Sequence, residues 1–414
     1  MKGINHVSKR VFVRAFLFTL YFFISVTLSA QEIKKGEVLI SFSVRQGFYQ
    51  AVINRKEWRT PRTITLCKED ELSFSIFGSS HYYGDEAKKL YALVFKPIES
   101  LLKKGDRLFF TPAGQLFFIN LSALTNESGV TLGDIYHFHR LSSLKEYSQS
   151  KEELPSYTDW LLFGGMDYLA DPDLMFSSVR ILHIHNMENL FKDLVPSESK
   201  DKLYFGMAED GSRAGYDNLP YSRDEIKDLW DLRRRFGISY YTGYKACEEQ
   251  FRFEVRRTNP YVVLLSTHGF TYGDYSNNES ACGLLFSGAG HTIEGRKLPY
   301  GLNDGILYAQ EIEKLDMKEA TLVVLAACNT GLGIVTQDGI KGLQSAFKKA
   351  GAKTLVLTLW SVNDRATAAF SKHLFTYLEK GKEKHEAFEL AIRDLKRSQY
   401  FHDPVYWAPF IMLD

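Results

Sequence analysis

Two stretches of the chain are built alike and end alike. Tyr261-Val-Val-Leu-Leu-Ser-Thr-His-Gly269 and Thr321-Leu-Val-Val-Leu-Ala-Ala-Cys-Asn-Thr-Gly331 each carry a short apolar run that stops at a chemically able residue, His268 in one and Cys328 in the other. Apolar runs without alternation, rich in Val and Leu, are the pattern of strands buried on both faces. In a parallel sheet both residues would leave at the carboxyl edge, where open α/β folds put their sites. A thiol and an imidazole meeting there are the parts of a covalent hydrolase.

The rest of the chain supports a sheet of this kind. From residue 156 onward strands and helices alternate. The strands are Trp160-Leu-Leu-Phe163, the two runs above, Lys353 to Trp360 and Val405 to Leu413, with Pro409 suited to an edge. Helices are expected over Tyr221–Arg235, where Ser222 and Glu225 fit a capping box, and over Cys247–Arg257, ended by Asn259-Pro260. Three more are expected over Gly339–Ala350, Asp364–Leu378 and Lys382–Arg397. The fold class is therefore α/β, a mostly parallel sheet with helices on both faces. A small β-rich segment, residues 31–85, precedes it, with strands at Glu37–Val44, Thr63–Leu66 and Leu72–Ile76. A helix kinked at Pro97 follows over Glu86–Lys103. Beyond it, Asp106–Gly114 and Gln115–Ile119 read as a hairpin. Residues 172–215 read as an irregular insertion, and 271–312 as a long surface excursion with a small hairpin near Gly283–Phe286.

Composition narrows the function classes. The chain has 414 residues, with 51 Lys+Arg against 50 Asp+Glu. Nucleic acid is not an expected partner, because a binding groove needs an excess of cations. At the N-terminus Lys9, Arg10 and Arg14 precede an apolar run from Ala15 to Leu28, then Ser29-Ala30-Gln31. A basic region, a short apolar stretch and a small residue describe a secretory signal over residues 1–30. The run is short for a span, so no stable membrane insertion is expected once the signal is removed; an uncleaved anchor is the rival reading. The mature chain is then exported, periplasmic or extracellular, and the Leu-Ser-Ala-Gln end resembles signal ends of Bacteroidota proteins. Cys67, Cys247, Cys282 and Cys328 are too few for a disulfide framework, although a Cys247–Cys282 bridge is conceivable.

Attack on an amide needs a thiolate or a base beside the thiol. His268 fills that role, and Gly269 lets backbone approach a substrate. The N–H groups of Gly269 and Cys328 are the oxyanion candidates. A strand-end cysteine is often mere core packing, and a His-Gly often a turn; it is their joint placement that speaks for chemistry. His183-x-His185 lacks a third ligand, so no metal is expected there, and the Cys–His chemistry requires no cofactor.

Several blocks carry a resemblance. Ser266-Thr-His-Gly-Phe270, Leu325-Ala-Ala-Cys-Asn-Thr-Gly331 and Thr358-Leu-Trp-Ser-Val362 are similar to signature blocks of the CHAT family, the caspase-related domains in the clan of caspases, separases and gingipains. Leu219-Pro-Tyr-Ser-Arg-Asp-Glu225 and Trp407-Ala-Pro-Phe410 resemble others, so the likeness runs from about residue 37 to the end. It implies a caspase-like fold over residues 86–414 and a Cys–His peptidase dyad, which falls on Cys328 and His268. The implied partner is a protein or peptide substrate. The family's usual tetratricopeptide repeats are missing from the sequence.

In caspases an Arg follows the Trp of the strand after the catalytic Cys; here Ser361 follows Trp360. A hydroxyl cannot pair a substrate carboxylate as a guanidinium does, so an acidic side chain is disfavoured. Asp304 or Asp364 could line a pocket for Lys or Arg instead, with Asp364 alternatively capping the next helix. A non-catalytic interaction module on the same fold is the alternative to the peptidase.

Overall fold

The structure, a computed structural model, describes residues 33–72, 84–151, 154–155, 158–184, 218–233, 237–274, 279–299, 301–327, 330–331, 333–336 and 339–414. The expected signal over 1–30 and the strand positions 73–76 lie outside them. Among the described residues no helix is long and apolar enough to cross a membrane.

In chain order the strands are β1 (Glu37–Arg45), β2 (Phe48–Arg55), β3 (Arg62–Lys68), β4 (Arg107–Thr111), β5 (His137–Arg140), β6 (Trp160–Gly164), β7 (Ile238–Tyr241) and β8 (Val262–Ser266). They continue with β9 (Gly269–Asp274), β10 (Glu279–Leu285), β11 (Ile306–Tyr308), β12 (Leu322–Ala326), β13 (Ile334–Thr336), β14 (Gly339–Lys341), β15 (Leu355–Thr358) and β16 (Phe410–Leu413). Eleven of them form one sheet, ordered β3-β2-β1-β4-β5-β16-β15-β12-β8-β6-β7. Its pairings are parallel except β1–β2, β2–β3 and β15–β16. Every residue of β6, β8, β12 and β15 is buried. That requires cover on both faces, and removing each Val or Leu side chain from water contributes about 1.5–3 kcal/mol. The helices Pro220–Leu232, Asp364–Glu379 and Lys384–Arg397 pack side by side, and Glu248–Thr258 packs against β6.

β16 joins two blocks that run in opposite directions. It is antiparallel to β15 and parallel to β5, which it meets at a single ladder position, Leu413 opposite Arg140. Side chains reinforce this seam. His385, at the start of the helix Lys384–Arg397, shares Nε2 with Asp414 at 2.8 Å and Nδ1 with Glu383 at 2.9 Å. Thr354 donates to the other Asp414 oxygen at 2.8 Å, and Lys384 Nζ lies 4.0 Å from it. His139 of β5 packs against the His385 ring, with centroids 4.2 Å apart. Burial opposes a charge on His385, but Asp414 and Glu383 outweigh it and lift the imidazole to about 9. His139, His385 and Asp414 do gather three ligand-type groups. Both His385 nitrogens are already committed to carboxylates and an ammonium stands beside Asp414, so a proton and a lysine balance the charge of this cluster.

Several expectations are corrected by the packing. The β-rich N-terminal segment has an additional strand, β2, and its strands extend the main sheet. The expected hairpin return after β4 is a 3-10 turn over Gly114–Phe118; Arg140 donates to the carbonyls of Leu116, Phe117 and Ile119, which a strand would have used in a ladder. The kinked helix resolves into Asp85–Leu90, a π turn over Tyr91–Phe95 and Lys96–Glu99, the wider turn absorbing the N–H that Pro97 lacks. Part of the supposed insertion is a helix, Pro172–Ile184, which takes in position 183; His185 lies outside the described residues. The 271–312 excursion is no surface loop: β9, β10 and β11 form a second sheet, and Leu284, Leu285, Phe286, Ile306 and Leu307 join the main core. Pro409 is not on an edge strand. It precedes the interior strand β16, and its carbonyl accepts from Leu359 N at 3.0 Å.

Candidate active site at the ends of two central strands

β8 and β12 are parallel neighbours in register, with Val262 opposite Leu322 and Ser266 opposite Ala326. Thr267 N donates to Ala326 O at 3.3 Å. The last paired couple thus stands two residues before His268 on one strand and two residues before position 328 on the other. Cys328 and Asn329 lie outside the described residues, but both flanks of Cys328 are fixed by one residue. Thr358, at the end of β15, donates from Oγ1 to Ala327 O at 2.7 Å and from N to Thr330 Oγ1 at 3.0 Å. Its carbonyl accepts from Gly331 N at 2.8 Å. Further on, a Cβ on Gly333 would stand 2.2 Å from Lys341 O, so the glycine is what lets β13 and β14 close behind the turn.

His268 is half-buried at the step from β8 to β9. Tyr168, from the loop after β6, holds it. The His268 N–H donates to Tyr168 Oη at 3.3 Å, and the two rings lie 5.2 Å apart. Thr267 Oγ1 donates to Leu285 O, so it accepts from the Tyr168 hydroxyl, 3.0 Å away. Tyr168→Phe breaks this relay and leaves buried partners unpaired, so it is expected to cost about 1–3 kcal/mol of stability in chemical denaturation. Leu285 N donates to His268 O at 2.9 Å. Hydrogen-bonded and open pairs alternate in an antiparallel ladder. Gly269, opposite Leu284, thus falls in an open pair, its N–H turned away from β10.

Of the pocket candidates, Asp364 is the one coupled to His268. Asn363 caps the helix Asp364–Glu379, accepting from Arg365 N and Ala366 N. Asp364 instead accepts from Tyr221 N, 2.9 Å away at the start of the helix Pro220–Leu232. Burial raises its carboxyl, while Tyr221 and His268 pull it down; no lysine or arginine is among these influences. Asp304 belongs to a different neighbourhood. It accepts from Ile306 N at 2.9 Å and sits in the fields of Glu311, Arg252 and Glu249, and burial lifts it to about 6. Trp360 is buried, its Nε1 donating to Val405 O at 3.3 Å, and Ser361 is exposed. Cys247 and Cys282, the conceivable bridge, are separate free thiols; with Cys67 they are buried, which pushes Cys67 up to about 11 and Cys282 up to about 12.

Two residues assigned to a capping box do other work. The cap of Pro220–Leu232 is Leu219. Ser222 Oγ donates to Ser266 O at 2.8 Å and accepts from Gly165 N at 2.8 Å, while Glu225 accepts from Ser266 Oγ at 2.5 Å. Their spacing of three puts them on one helix face, which fits a cap and a tertiary contact equally well. Tyr168 carried one sequence signal, its place just after Gly164-Gly165 at a strand end.

A family model described as the CHAT domain matches residues 84–413. Tetratricopeptide repeat protein 28 of Mus musculus is 31% identical over 100 residues, 24% of this chain and 4% of that protein. Its Homo sapiens counterpart is 30% identical over 112 residues, 27% of this chain and likewise 4% of the relative. Among solved structures, the Saccharomyces cerevisiae separase–securin complex aligns over 94% of this chain and 31% of that one, at 9% identity and a TM-score of 0.47. The Arg-specific cysteine proteinase gingipain R aligns over 81% and 68%, at 8% identity and a TM-score of 0.43.

Proposed function

The chain belongs to the CHAT domain family, and from that premise we propose that it is a cysteine endopeptidase with His268 and Cys328 as its dyad. The observation that supports this reading is the register of β8 on β12, whose last paired couple, Ser266 and Ala326, stands two residues before each member of the dyad. Cys328 attacks the scissile carbonyl as a thiolate, and a C–S bond forms as the carbonyl becomes an oxyanion. N–H groups of Gly269 and Cys328 hold that oxygen; the open ladder position of Gly269 supports its part. His268 protonates the departing amine, leaving a thioester, and then takes a proton from the water that hydrolyses it. No step calls for a metal or organic cofactor.

Asp364 gives the pocket a preference for Lys or Arg beside the scissile bond. It is a half-buried carboxylate that feels His268 but, among the described residues, no lysine or arginine, and a substrate cation would offset the burial that raises it. Asp304, set among Glu311, Glu249 and Arg252, is the weaker candidate for this pocket. We place the mature protein outside the cytoplasm, on the basic and apolar residues ahead of Gln31.

Irreversible thiol-reactive peptides that differ only in the residue beside the warhead test the reading. Cys67, Cys247 and Cys282 are buried, which suppresses their thiolates, so background labelling is expected to be low. Lys and Arg probes are expected to modify Cys328, and Asp364→Asn to lower their advantage over a neutral probe by about tenfold or more. Preferential reaction of acidic probes would remove the basic pocket. No modification by any probe would leave a non-catalytic interaction module.

A further inference from the structure

We propose that Glu225 is a positioning residue for His268 and works as an uncharged acid, fixing through Ser266 the strand end that presents the imidazole. The proposal rests on the peptidase reading of the site and adds a pH control to it.

Glu225 is fully buried in the helix Pro220–Leu232. Its Oε2 accepts from Ser266 Oγ at 2.5 Å, two residues before His268. The carbonyl of the same Ser266 is held by Ser222, one turn earlier on the helix, at 2.8 Å. The strand end is thus gripped at its side chain and at its main chain from a single helix face. The other oxygen, Oε1, and the Ser371 hydroxyl lie side by side, both buried and without a well-aligned hydrogen bond. Either group can supply the proton of a bond between them; a carboxylate there also brings a buried charge, and among the described residues no cation stands against it.

The groups facing Glu225 are all unfavourable to ionisation or neutral. Ser266 comes from β8, and Ser371 and Asp364 from the helix Asp364–Glu379. Burial outweighs the two serines, which favour the charge, and with Asp364 it lifts Glu225 to about 7. Asp364 is also the carboxylate coupled to His268. Ionising Glu225 therefore puts a second negative charge behind the pocket; the bond from Ser266 favours that charge, but burial opposes it more, and the burial is relieved when the helix lifts from the strand end, so ionisation favours opening there. Folding responds with a definite sign. The folded protein holds this proton above the ordinary 4.5, so stability declines as pH rises from there to about 7 and stays lower beyond.

Glu225→Gln copies the protonated acid, and Glu225→Ala removes it. Two measurements on the full chain across neutrality separate the outcomes: hydrogen exchange of the amides around Ser266–Gly269, and the rate of Cys328 modification by a basic peptide probe. In the wild type, exchange should rise and the modification rate should fall as Glu225 ionises near pH 7. Glu225→Gln should abolish both changes and keep the neutral-pH rate within about twofold, whereas Glu225→Ala should lose tenfold or more at every pH. Identical exchange and identical pH profiles in wild type and Glu225→Gln would overturn the proposal. Should Glu225→Ala fail to fold, the Gln variant alone still decides it. If the wild type is never modified but its exchange follows the expected course, the peptidase reading fails while the role of Glu225 in holding the strand end stands.

Discussion

His268→Ala is expected to slow modification of Cys328 by a basic peptide probe by about 10²–10⁴-fold, the worth of one positioned acid–base group. The fold should hardly notice. The imidazole is half-buried, and the contact that ties this strand end to Tyr168 is made by the main-chain N–H, which alanine keeps. Thermal unfolding within a few degrees of wild type, together with the lost rate, would assign the effect to chemistry. An unchanged rate would mean that the thiol at 328 ionises without the imidazole, and the dyad would have to be abandoned. A small free imidazole added to the variant gives a further check, because the missing base can return by diffusion.

Asp414→Ala is expected to cost about 3–5 kcal/mol, the usual penalty when one member of a buried ion pair is removed. The aspartate is buried at the seam, where β5 and β16 share one ladder position, and its two oxygens serve His385 and Thr354. Without it the His385 imidazolium keeps Glu383, at 2.9 Å, but the fully buried Lys384 loses the carboxylate that balances it. Urea unfolding measures the loss. A double-mutant cycle with His385→Ala should return a coupling above about 1 kcal/mol, as contacting residues do; additive losses would mean that the seam is held by backbone and packing alone.

The central strands were readable in the sequence because burial on both faces imposes an unbroken apolar run, as in Val262–Ser266 and Leu322–Ala326. The same logic put His268 just past the end of β8, where it stands; Cys328, expected past β12, lies outside the described residues. What escaped was set by partners remote in sequence. Gln115–Phe118 has the composition of a strand, yet Arg140 captures its carbonyls from more than twenty residues away. β9, β10 and β11 looked like a polar excursion because Gly, Asn and Ser outnumber the few apolar residues that reach the core. Ser222 and Glu225 satisfied a local rule for helix starts, and only the strand beneath them showed a different use. Asp364 was weighed as a cap for its own helix; it serves the start of another, which no local pattern encodes.

The turn that leaves position 328 does not stay in its own half of the protein. Ile340, on β14, belongs to the buried cluster that includes Tyr49, Leu90, Phe110 and Leu116, drawn mainly from residues before 140. Val335, on β13, borders a groove of about 690 Å³ together with Phe48, Lys68 and Gln115. The family-matched stretch begins only at residue 84, so a fragment cut to that boundary would strip away β1, β2 and β3 and uncover the apolar cluster that Ile340 shares with them. Solubility of such a fragment is expected to fall below that of a chain begun ahead of Glu37.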